Sequence, residues 1–130
     1  MATDNEERWE RGRKMMEKVY AGDVVTPPRG AMPFTDIMLE QVFAEVWSRE
    51  DVLGIAERRL LLLGAAAAIG ERDIWRIQTK AAVKNGELTP DQVRECLIHL
   101  AQYVGYPRVS GLVTLTEGML AEVAKEMEEG

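Results

Sequence analysis

The lone histidine of this chain, His99, sits in Leu97-Ile98-His99-Leu100-Ala101-Gln102-Tyr103, beside the only cysteine, Cys96. Histidine is the side-chain type whose charge changes near neutral pH, so a histidine among apolar residues is the first candidate for proton transfer. Residues three or four apart are neighbours on a helix. That spacing puts Glu95 one turn before His99 and Tyr103 one turn after it. Two roles fit such a histidine: a structural hydrogen bond to Glu95 or a backbone carbonyl, or general acid catalysis.

Other polar residues intrude on apolar surroundings in the same way. Arg58 and Arg59 stand at the start of an apolar helix, against the helix dipole. Either Glu57 compensates them, or Arg58 grips an organic carboxylate with its planar, bidentate guanidinium. Gln78 falls inside a stripe of Ile74, Ile77, Ala81 and Ala82, where a buried amide must find partners. Glu45 flanks the stripe of Phe43, Val46 and Trp47. It is either a solvated carboxylate or a half-buried acid or base whose pKa burial would raise. His99 and Glu45 are therefore the catalytic candidates, and Arg58, Gln78, Trp47 and Tyr103 the substrate-binding ones. The tryptophans Trp9, Trp47 and Trp75 also read as core or interface, and Cys96 as a small buried hydrophobe. His99, Gln78 and Arg58 are expected to converge on one pocket, because unpaired burial costs roughly 1–3 kcal/mol apiece.

The elements that must position these residues read as six helices, with no convincing strand. They cover about residues 4–20, 35–49, 55–69, 72–85, 89–105 and 109–128. The first is expected to be capped by Asn or Asp, with Glu6 and Glu7 in its first turn. Pro27, Pro28, Gly30 and Pro33 make the next stretch an ordered crossing or a lid. Met38, Leu39, Val42, Phe43, Val46 and Trp47 give the second helix a 3.6-residue stripe. The third is apolar all round, the pattern of a central, buried helix, with the fourth and fifth packed antiparallel beside it. Thr89, Pro90 and Gln92 form a complete start signal for the fifth. The class is all-α, a single domain over residues 1–130. Residues 1–33 form an N-terminal helix and Pro-rich loop, and residues 34–125 the helical core.

The chain has 130 residues, 16 basic and 22 acidic, for a formal net charge of −6. That balance argues against a nucleic-acid or anionic-membrane partner. One cysteine allows no internal disulfide, and no zinc-type cluster is present. The charged N-terminus lacks a signal-peptide core, and the apolar run at residues 60–69 is too short to span a membrane. A cytoplasmic location is the expectation.

The string His99-x-Ala101-x-Tyr103-x-Gly105-x-Pro107, preceded by Asn85-Gly86 and Thr89-Pro90-Asp91-Gln92, resembles the carboxymuconolactone decarboxylase family. Arg8-x-x-x-Gly12, Phe43-x-Glu45-Val46-Trp47-x-Arg49 and Arg58-x-Leu60-Leu61 extend the likeness over most of the chain. The resemblance implies an all-helical subunit of the alkyl hydroperoxidase D-like type, assembled into a trimer or hexamer. It also implies cofactor-free decarboxylation of a carboxylactone or related organic acid from aromatic catabolism. The peroxidase branch uses Cys-x-x-Cys followed by His; here those positions hold Glu71, Ile74 and Gln78, so the reacting sulfurs of that chemistry are absent. Decarboxylases of the family carry a histidine where this chain has Gln78, and an amide cannot exchange a proton near neutral pH. Two other classes of function stay open: an isomerase or lactone-handling enzyme, and a non-catalytic oligomeric binding protein. A lyase requires an enclosed polar pocket holding His99 and Arg58. A binding protein requires a His99 that is exposed, or dry and fully satisfied.

Overall fold

A computed structural model describes residues 3–129, and the described residues are helical with no strand among them. The chain is all-α, a bundle of six helices if the two consecutive segments at 33–47 are taken as one. By contacts it divides into two compact units, one ending at Arg58 and one beginning at Arg59.

The first unit holds α1 (Asp4–Val19), α2 (Pro33–Met38) and a π-helix (Leu39–Trp47). The cap of α1 is Thr3, not an Asn or Asp. Thr3 Oγ1 accepts from Glu6 N at 3.1 Å while Glu6 Oε2 accepts from Thr3 N at 3.0 Å, a reciprocal capping box. The buried face of α1 is Gly12, Met16 and Val19. At Gly12 the chain runs so close to the π-helix that a Cβ would lie 1.9 Å from the backbone oxygen of Leu39. Asp36 ties down the Pro-rich crossing: it accepts from the Trp9 indole at 2.9 Å and from Gly30 N at 3.0 Å.

The stripe expected for residues 35–49 is only half realised. Leu39, Phe43, Ala44 and Trp47 are buried, while Val42 and Val46 are 41% and 48% exposed. The cause is the π-helical winding. Its i→i+5 bonding puts more residues in each turn than an α-helix does, so positions spaced four apart stay in line and 42 and 46 swing outward.

The second unit holds the rest of α3 (Ile55–Ile69), then α4 (Arg72–Lys84), α5 (Pro90–Val104) and α6 (Tyr106–Glu129). Its core joins Leu63 and Ala67 of α3 to Trp75 of α4, Leu97 of α5 and Leu112 of α6. The Trp75 indole donates to Thr116 Oγ1 at 2.9 Å, which satisfies the polar edge of this buried ring. It is α6, rather than α3, that packs against both α4 and α5. Lys80 and Lys84 of α4 pair with Glu122 and Glu126 of α6 along that seam. Nor is α3 buried all round: Leu63, Ala66 and Ala67 face the core, while Leu60, Leu61 and Ile69 are 48%, 68% and 74% exposed.

The start of α5 is as expected, with Thr89 as cap, Pro90 in the first turn and Gln92 closing the box. Between α5 and α6 stands the single residue Gly105, at φ +107°, a region that favours glycine. The sharp reversal lets α6 begin at Tyr106, three residues earlier than the sequence suggests, with Pro107 in its first turn. No helix among the described residues is long and apolar enough to cross a membrane.

Candidate active site

Within the second unit, α3 and α5 bound a cleft of about 460 Å³. Leu60, Leu63, Leu88 and Leu100 form its apolar wall. The polar side belongs to one strip of α5: Gln92, Glu95, Cys96 and His99. The strip is a consequence of helical geometry, since steps of three and four residues keep these side chains in line. The capping box fixes its lower end, where Gln92 Oε1 accepts from Thr89 N at 2.9 Å.

His99 is solvent-exposed in the single chain, and the Tyr103 ring lies with its centroid 5.1 Å away, tilted by 46°. Tyr103 is itself 80% exposed. Among the described residues His99 has no hydrogen-bonding partner, so the expected bond to Glu95 or a backbone carbonyl is not made. Burial pushes the Cys96 thiol pKa up, and the charge of Glu95 adds to the rise. A thiol held in that state is a poor nucleophile.

Gln78 is buried in a different arrangement. Arg59, fully buried on α3, donates through Nη1 to Gln78 Oε1 at 2.6 Å. The same guanidinium grips Glu87 with two bonds, Nε to Oε1 at 3.1 Å and Nη2 to Oε2 at 2.9 Å. Because arginine only donates, its bond identifies the amide oxygen of Gln78 and leaves the NH₂ group on the other side. Arg58 is placed otherwise: its Nε donates to the carbonyl of Leu53 at 2.9 Å and its Nη2 to that of Arg49 at 3.2 Å. The guanidinium expected to meet Gln78 is thus that of Arg59. Neither Gln78 nor Arg58 belongs to the lining of the His99 cleft, so the expected convergence of the three is not what the structure shows.

The remaining candidates belong to the first unit. Glu45 is half-exposed and paired with Arg8 at 3.2 Å and Arg11 at 3.4 Å. Trp47 is 7% exposed and stacks on Phe43 with centroids 6.2 Å apart, as part of the core.

Sequence reasoning passed over Arg59, Glu87 and Leu88. A signal for Arg59 existed, because it shares the 59–63–66–67 stripe that α3 buries. In a helix with apolar residues on every side, however, no stripe stands out until its neighbours are known.

Comparison with known proteins agrees with this architecture. The Carboxymuconolactone decarboxylase family profile matches residues 33–118. A 4-carboxymuconolactone decarboxylase of Acinetobacter baylyi is 29% identical over 94 residues, covering 72% of this chain and 66% of that protein, just under two thirds of its length. The nitrosuccinic acid decarboxylase npaB of Metarhizium robertsii is 28% identical over 128 residues, covering 92% of this chain and 86% of that protein. No solved structure matches. With most of its length matched and its helices in place, the chain belongs to the carboxymuconolactone decarboxylase family.

Proposed function

We propose that the chain is a decarboxylase-like lyase that releases carbon dioxide from an unsaturated carboxylactone or related organic acid, with His99 as the proton donor. The observation that carries this reading is the cleft between α3 and α5, where the chain's only histidine meets an apolar wall. Relatives named for decarboxylation of a lactone acid and of a nitro acid support the reaction class.

The chemistry asks little of the protein. The bond between carbon and the carboxylate breaks, and its electron pair passes into an adjacent electron-withdrawing group of the substrate. His99, in its protonated form, then delivers a proton to carbon. The leucine wall takes water away from the carboxylate and so favours its loss as a neutral gas. Tyr103, one turn from His99, lies where it can contact the substrate, and the proposed reaction assigns no step to a cofactor.

The test is carbon dioxide release from a panel of carboxylactones and nitro acids. His99→Ala is expected to lower turnover by about two to four orders of magnitude, the usual range for an acid–base residue. Unchanged release in that variant would remove His99 from the mechanism. The exposure of His99 in the single chain favours one other reading, a binding protein without turnover. That reading predicts ligand binding in the cleft with no carbon dioxide released by any member of the panel.

A further inference from the structure

The cleft contains no permanent cation. Its described lining holds four leucines, one amide, one thiol, one histidine and one carboxylate, Glu95. Glu95 has no ion-pair partner among the described residues, and its charge is felt inside the cleft by the Cys96 thiol. The guanidiniums that flank the lining in sequence are already engaged. Arg59, next to Leu60, is bidentate to Glu87, and Arg94, next to Glu95, binds both carboxylate oxygens of Glu117 at 2.9 Å. An anion entering the cleft can therefore meet one positive charge at most, that of protonated His99, and always meets one negative charge.

The geometry points to a cleft selective for organic acids with a single carboxylate and an apolar body, in which Glu95 repels a second carboxylate. This specificity rests on the cleft being the substrate site proposed above, and it narrows the substrate class. One carboxylate is accommodated at His99 with the body of the molecule against Leu60, Leu63 and Leu100. A second carboxylate must either press into the leucine wall, where desolvation opposes it, or approach Glu95, where like charge opposes it. Glu95 is a specificity-determining residue in this account and takes no part in bond breaking.

Hexanoate and adipate, equal in length and differing by one carboxylate, are suitable probes, with the imidazole resonances of His99 reporting binding to the full chain. Hexanoate is expected to bind at least about tenfold more tightly than adipate, a factor corresponding to about 1.4 kcal/mol. Adipate differs from hexanoate in polarity as well as charge, so Glu95→Gln isolates the electrostatic part. That variant should raise the affinity for adipate severalfold while leaving hexanoate nearly unchanged, with the helical circular dichroism of the wild type retained. Adipate binding as tightly as hexanoate in the wild type, equal shifts of both affinities in Glu95→Gln, or no response of His99 to either acid would each overturn the proposal. If charge discrimination is present but no acid releases carbon dioxide, only the lyase reading falls. If turnover occurs without discrimination, only this inference falls.

Discussion

Arg58 and Arg59 are neighbours in sequence, yet their guanidiniums end in different kinds of surroundings. A helix turns by about 100° between successive residues. Arg58 reaches back to two loop carbonyls, while Arg59 points into the packed side of α3 and is held by Gln78 and Glu87. Such a buried pair is costly to break from one side, because the remaining charge loses its partner. Arg59→Ala should therefore destabilise the protein by about 3–5 kcal/mol in chemical denaturation, and replacing both members together by Arg59→Met and Glu87→Leu should recover most of that loss. A single variant as stable as wild type would contradict the role given to this network. The sequence makes Gln78 conspicuous, as an amide in an apolar stripe. It does not say which arginine the amide meets, because that is decided by Glu87, brought in from beyond the end of α4. His99 was legible for a simpler reason: a residue type that occurs once cannot be confused with its neighbours.

Among the elements, those governed by local signals follow the sequence closely. The cap and first turn of α5 depend only on Thr89, Pro90 and Gln92, and they form as read. Elements that depend on a neighbour depart from it. The stretch Leu39–Trp47 has a respectable α-helical stripe, but it is wound as a π-helix against α1. Its partner residue, Gly12, carries no apolar side chain and so contributes nothing to a hydrophobic pattern. What it contributes is the absence of a Cβ where the Leu39 backbone passes. Gly12→Ala gains helix propensity of about 1 kcal/mol, yet overpacking against backbone costs typically 1–3 kcal/mol or more, since the carbonyl cannot rotate aside as a side chain would. The expected result is net destabilisation, seen as a lower thermal midpoint. A midpoint raised by the substitution would show that the two helices separate at little cost.

For the molecule as a whole, the apolar surface left open is the main guide to behaviour in solution. Leu61 and Ile69 on α3, Ile98 and Tyr103 on α5 and Tyr106 on α6 are each more than half exposed. Exposed apolar surface on this scale marks sites of association, and we expect a trimer or hexamer. Light scattering should give three or six times the 14.6 kDa of the chain, and Leu61→Glu should reduce it. A wild-type monomer at micromolar concentration would refute the assembly. The cleft brings one more whole-molecule property. Its wall includes Cys96, the only cysteine in 130 residues, so an alkylating reagent has one address on this protein. Because the thiol is held protonated above its ordinary range, labelling by iodoacetamide should be slow at neutral pH and accelerate as the solution is made alkaline. A molecule seated in the cleft should slow it further, and each modification is counted by intact mass. The chain thus carries its own occupancy reporter, able to rank unknown ligands before any turnover assay exists.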